Sequence, residues 1–179
     1  MKALRPPVVA VLVISIGFIS CSQNRKTPYQ ESLEQDAKAR KEEFFAATND
    51  ATKKREFGIG HFFGYYLINV ETKVNYCRQL GVDISPFITA FREANKDIYV
   101  KATSLLAKQG LTENQTLFKM EDQLVNLTFK IMADQAAAQK ITTTVVCERL
   151  RDFGSKDPNL AYRKSSPDVY RMLMEDRQH

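Results

Sequence analysis

The sequence predicts an all-α protein, a helical bundle of about four main helices plus a short C-terminal helix, stapled by one disulfide. Three observations carry that reading. Apolar residues recur at steps of three and four through most of the chain, the period of one face of an α-helix. Helix-start and helix-stop residues punctuate it: Thr27-Pro28, Ser85-Pro86 and Ser166-Pro167 set a capping hydroxyl before a proline at the first helical position, and Gly81, Gly110 and Gly154 stand where helix ends favour positive φ. No stretch alternates with period two and no Asn-Gly or Asp-Gly hairpin signal occurs, so no sheet is expected.

These marks cut the chain into five helices, over 28–55, 60–80, 86–109, 113–153 and 167–176. The first opens on a capping-box pattern, Thr27 with Gln30, and carries only a thin stripe of Leu33, Ala37 and Phe44 amid "EQDAKARKEE". Its Glu34–Lys38 and Asp36–Arg40 spacings suit an exposed helix, so it should be peripheral, and Lys53 to Arg55 should be its solvated end. The second carries Phe63, Leu67, Val70, Val74 and Cys77 in steps of 4, 3, 4 and 3. It is entered through "FGIGHFFGYY", residues 57–66, three glycines among aromatics. Phe63 and Tyr66 should face the core and Phe62 and Tyr65 be covered by the first helix; the alternative is a mobile, adhesive entry for a partner.

The third helix continues a stripe through Phe87, Phe91, Ala94, Ile98, Ala102 and Leu105. The fourth, with Thr112 and Gln115 as a second capping box, runs through Leu117, Met120, Leu124, Leu127 and Ile131. Asp134 then falls where an apolar residue is due. The pattern resumes in another register at Ile141, Val145 or Val146, Leu150 and Phe153, which predicts a kink or stutter between Asp134 and Lys140. The fifth is short, starting after Ser166-Pro167.

The amino terminus stands apart from this pattern. Val8 to Ser20 is an apolar run of 13 residues, too short for the ~20 a bilayer core requires. Met1, Lys2 and Arg5 precede it and the polar Ser22 to Lys26 follows, the plan of a secretory signal peptide. The run ends in "GFISC", which resembles the lipobox of bacterial lipoproteins, where a small residue precedes an invariant Cys that is acylated and becomes the mature first residue. Ser20 and Cys21 fit, while Phe18 and Ile19 depart from the Leu and the Ala or Ser usual there. The resemblance covers residues 1–21 only; ordinary cleavage nearby would leave a freely soluble secreted protein. It implies a signal peptide over 1–20, a lipid such as palmitate on Cys21, a short tether over 21–27 and a single helical domain over 28–179. It also implies a lipid-anchored, periplasm-facing place in the bacterial envelope. By the sorting rule of enteric lipoproteins, Ser22 in place of Asp points to the outer membrane.

Cysteine parity agrees with that implication. The chain has three Cys. With Cys21 lipidated, Cys77 and Cys147 remain, in an oxidising compartment where a pair tends to close; two buried free thiols are the alternative. A disulfide needs Cα atoms ~5.5 Å apart, while packed helix axes lie ~8–10 Å apart, so the second and fourth helices should be direct neighbours. That favours a core of the second, the third and the latter half of the fourth, with the first laid outside.

Composition narrows function by subtraction. Without Lys2 and Arg5, 24 basic residues face 21 acidic ones, a formal charge of +3 spread along the chain, which gives no reason to expect nucleic acid. The histidines are His61 and His179, and no haem, zinc-protease, serine-hydrolase or P-loop pattern occurs, so neither cofactor nor metal is expected. Glu71 and Glu148 read as solvated helix residues. "NQT" at Asn114 and "NLT" at Asn126 match glycosylation sequons, which matter only in a eukaryotic source. The expected function is a binding, adaptor or assembly protein for another envelope protein, tethered to the membrane through Cys21. Two alternatives stay open: a peptidoglycan-acting enzyme using two carboxylates across a cleft, and a lipid or small-ligand carrier with an apolar cavity.

Overall fold

The computed structural model describes residues 27–157 and 159–175, with the backbone alone over 116–121. Among the described residues every regular element is helical. α1 (Pro28–Ala47) begins in the expected capping box: Thr27 Oγ1 accepts from Gln30 N at 3.1 Å and Gln30 Oε1 accepts from Thr27 N at 3.0 Å. It buries only Gln30 and Ala37, which makes it peripheral as expected. It ends earlier than expected. Thr48 is extended, and Asp50 caps a new helix by accepting from Thr52 N at 2.8 Å and Lys53 N at 3.3 Å, so Lys53 to Arg55 open α2 rather than close α1.

α2 (Ala51–Leu67), a π-turn over Ile68–Thr72 and α3 (Lys73–Gln79) follow without interruption. Gly58, expected just before the second helix, lies inside α2 with Gly60 and Gly64. At Gly58 a Cβ would sit 2.4 Å from Met172 Cε and 3.2 Å from Leu173 Cδ2, so the absent side chain lets the last helix lie against this one. Every residue from His61 to Val70 is buried. "FGIGHFFGYY" is therefore core, and Phe62 and Tyr65 are met by the C-terminal elements. Tyr162 packs edge-on to Phe62 at 5.2 Å, and Tyr65 donates to the Leu160 carbonyl at 2.8 Å. In the π-turn, Asn69 Nδ2 donates to Tyr65 O at 2.8 Å and Thr72 Oγ1 to Ile68 O at 3.1 Å, side chains serving carbonyls where the wider turn loosens the ladder.

The third predicted helix is two, α4 (Ser85–Ala94) and α5 (Lys96–Lys108), interrupted at Asn95. Ser85 does not cap α4. Asp83 Oδ1 accepts from both Ser85 N, at 3.0 Å, and Ser85 Oγ, at 2.6 Å. Gly81 and Gly110 close α3 and α5 at φ +74° and +70° as expected. α6 (Glu113–Gln139) ends at Lys140 in the left-handed region, and Thr142 caps α7 (Thr143–Phe153) by accepting from Val145 N at 3.3 Å. The expected kink is thus a full break over residues 140–142.

Gly154 departs from expectation, with φ −60°. It is needed for space, since a Cβ there would lie 2.7 Å from Phe87 Cδ2. A 3₁₀ turn at Gly154–Lys156 leads to α8 (Tyr162–Ser165) and α9 (Pro167–Met174).

The expected stripes are buried at Phe63, Leu67, Val70, Cys77, Phe87, Phe91, Ile98, Ala102, Leu105, Leu124 and Ile131. The core is wider than a set of three helices. The earlier half of the fourth predicted helix joins it through Leu124, Ile131 and Met132, and the C-terminal elements add Tyr162, Val169 and Leu173. Cys77 and Cys147 form the disulfide, with S–S 2.06 Å and Cα atoms 5.6 Å apart, joining α3 to α7. Closing an interval of 70 residues is worth about 4 kcal/mol in the chain-entropy account. A smaller cluster of Ala37, Phe44, Phe45 and Phe57, with Phe44 and Phe57 stacked at 4.6 Å, fastens α1 to the start of α2.

Candidate functional site

An open groove of about 620 Å³ runs between the π-turn and α3 on one side and α4 on the other. Its floor is apolar: Val70, Val82 and Ile84 are buried, Val74 and Ile88 half-buried. Its rim is charged and mixed, with Glu71 from the π-turn, Arg78 from α3, Asp83 from the turn at Gly81 and Arg92 from α4. The rim is held by local bonds. The Ser85 hydroxyl and amide keep the Asp83 carboxyl below its usual pKa, and Arg78 Nη1 donates to Asn75 Oδ1 at 3.3 Å. Burial pushes the Tyr66 phenol up, partly offset by the Arg92 guanidinium.

Beneath this groove lies a layer of buried polar side chains. Lys73 is buried, its ammonium donating to Asn69 Oδ1 at 2.8 Å and lying 5.8 Å from the Phe87 ring centre. Burial brings its pKa down to about 8, against the pull of the Asp157 carboxylate. Burial pushes Asp157 up in turn. Asn95, fully buried, donates to Phe91 O at 2.8 Å and Leu160 O at 2.9 Å and accepts from Tyr162 N at 2.7 Å. One amide side chain thereby ends α4 and latches the 157–162 connector onto it.

His61 Nδ1 and the Tyr162 hydroxyl share a hydrogen bond of 2.5 Å. His61 Nε2 is buried with no hydrogen-bond partner among the described residues. Burial, assisted by Lys41 and opposed by Asp168, lowers the His61 pKa to about 4, and Lys41 and Asp168 themselves form an ion pair at 2.6 Å. His61 and Tyr162 are enclosed by packed side chains, so their bond acts as an internal latch, with the Lys41–Asp168 pair at the surface beside it.

The residues singled out from sequence fall in different places. Cys21 and His179 lie outside the described residues. Cys77 and Cys147 meet. Glu71 and Glu148 are both half-buried, Glu71 on the groove wall and Glu148 on α7; Asn114 and Asn126 are exposed on α6. Asn95, Lys73 and Asp157 were not anticipated. Their signal is positional, since Asn95 lies four residues after Phe91 and Lys73 four before Cys77, each a polar residue on an apolar stripe.

Among the described residues no three His, Cys, Asp or Glu side chains converge as a metal site would need. Nor is any helix there long and apolar enough to cross a membrane. The chain matches no known protein family, no curated protein and no solved structure.

Proposed function

We propose that this chain is an exported lipoprotein, acylated at Cys21, that acts by binding another envelope protein through the α3–α4 groove. The groove carries the reading: an apolar floor offers desolvation, and a rim of two arginines and two acids offers directional contacts to a mixed-charge segment. Asp83 is exposed and its carboxyl is held low by the Ser85 hydroxyl and amide, so it is not suited to be the general acid of a carboxylate pair. The open, charged rim fits a peptide better than a lipid cargo.

The test pairs two variants in the native host. Cys21→Ala should move the protein from the membrane fraction to the soluble one, and its membrane retention would end the anchor reading. From detergent-solubilised envelope, the wild type should retain a partner that Arg92→Glu loses at least tenfold with helix content unchanged. Equal retention by both would remove the groove from the function.

A further inference from the structure

We infer that the segment docking in the α3–α4 groove is an amphipathic helix of the envelope partner, with an acid and a base at each end of its apolar face and the two acids on opposite flanks, an inference that rests on the binding reading above. The walls set its length. Glu71 to Arg78 on one wall and Ser85 to Arg92 on the other each span seven residues, about two helical turns or ~10 Å. Between those ends half-buried Val74 and Ile88 lie over buried Val70 and Val82. Because the walls are helical, their backbone groups are bonded within each helix and offer an extended peptide no ladder, and its own N–H and C=O groups would lie unpaired over the valines. A helix brings those bonds with it and lays an apolar face into such a trough.

The charges on the rim choose the occupant's pattern. Arg78 and Asp83 flank the turn at Gly81, where the Arg78 charge acts on the Asp83 carboxyl behind the larger effect of Ser85. Arg92 and Glu71 stand at the other end, where both charges act on the Tyr66 phenol behind the larger effect of its burial. Arg78 and Glu71 belong to the α3 wall, while Arg92 and Asp83, which is bonded to Ser85, belong to the α4 wall. The two cations therefore lie on one diagonal of the trough and the two acids on the other. Both guanidiniums are on exposed residues, and among the described residues neither is ion-paired. A partner that lodges an apolar face between these four charges desolvates them, and each must then meet its opposite. On a helix, positions five or six apart lie ~7.5–9 Å along the axis and ~140–240° around it, hence on opposite flanks near the two ends. The partner's two acids, over Arg78 and Arg92, should stand at that spacing with aliphatic residues between them, and its bases should stand likewise over Asp83 and Glu71. A second copy of this chain presenting its own groove would match the charges too, but two troughs face to face leave both floors unfilled.

The test places the photoprobe p-benzoylphenylalanine at exposed Thr89, midway along the groove, in the full-length protein in its native host. A second version carries the probe at Asn75 on the opposite wall, so that the test stands should either position disturb the fold, and circular dichroism verifies helix content in both. After irradiation the cross-linked product is sequenced by mass spectrometry. The expected product is a segment of another envelope protein with aliphatic residues between two acids five or six positions apart, and its yield should fall at least tenfold in Arg92→Glu and in Arg78→Glu. One of those acids, changed to Arg, should restore the yield with Arg92→Glu, and the other with Arg78→Glu. A cross-linked protein segment without the paired acids, or one that neither swap restores, overturns the helix with its diagonal charges and leaves the binding reading standing. A glycan, a lipid or a second copy of this chain as the product, or no product from either probe, overturns the inference and the binding reading together.

Discussion

Lowering pH should unfold this protein through His61, and the size of the effect follows from its burial. His61 is 1% exposed, bonded on Nδ1 to Tyr162, and its pKa falls from 6.5 to about 4, chiefly because burial penalises the imidazolium. Lys41 on α1 adds to the shift and Asp168 on α9 opposes it, the two charges facing the ring from the elements packed over it. Between pH 4 and 6.5 the unfolded chain therefore binds a proton that the folded chain refuses. Stability from this group is complete above pH 6.5 and is lost as pH falls toward 4. A shift of this size corresponds to about 3 kcal/mol, at ~1.4 kcal/mol per pKa unit. The pH profile of urea unfolding, with the disulfide intact, should thus be steeper for the wild type than for His61→Gln, which removes the titration while retaining a partner for Tyr162. Asp157, whose raised pKa gives the opposite slope, is common to both proteins and drops out of the difference. Parallel profiles between pH 4 and 6.5 would show that His61 is charged in the folded state and refute the argument.

Two further predictions follow from the latches. Reducing the Cys77–Cys147 bond, or replacing both residues with Ser, should lower unfolding stability by about 4 kcal/mol while far-ultraviolet circular dichroism at low denaturant stays near its native value, because the apolar stripes still bury their faces. Asn95→Ala should cost about 2–4 kcal/mol in chemical denaturation, since it orphans the buried Tyr162 N–H and removes donors from Phe91 O and Leu160 O. A loss below ~0.5 kcal/mol would mean that water or a neighbouring group replaces the amide.

Local chemistry made much of the fold legible. Thr27 and Thr112 close their capping boxes, and Gly81 and Gly110 take positive φ, because each depends on a neighbour within a few residues. The overlooked start of α2 at Asp50 was also local. "TND" is a capping signal, but the strong helix formers on either side mask it. What sequence could not supply is set by distant partners. Asn95 breaks a helix because its amide meets Leu160 and Tyr162, 65 and 67 residues away. Gly58 and Gly154 lack side chains because Met172 and Phe87 occupy the space, so their glycines look like helix punctuation until the fold brings those side chains to them. The groove was illegible for the same reason: its walls come from α3 and α4 and meet only when the turn at Gly81 folds one against the other.

The π-turn links these observations. In a regular helix each residue advances the side-chain direction by ~100°, and the wider turn over Ile68–Thr72 holds one extra residue, so every side chain of α3 points ~100° away from where the register of α2 would have sent it. α2 is enclosed along its later half, packed against α5, α6 and α9, and a continuation in the same register would give α3 no reason to divide its faces. With the register shifted, Cys77 meets Cys147, Val74 and Arg78 line the groove, and Tyr76 turns to Phe129 on α6. Asn69 and Thr72 satisfy the carbonyls beside the extra residue, and Thr72 also meets Thr128 of α6 at 2.5 Å. These bonds stabilise the wider turn from within, so the separation of the groove from the Tyr76–Phe129 contact is built into the course of one helix.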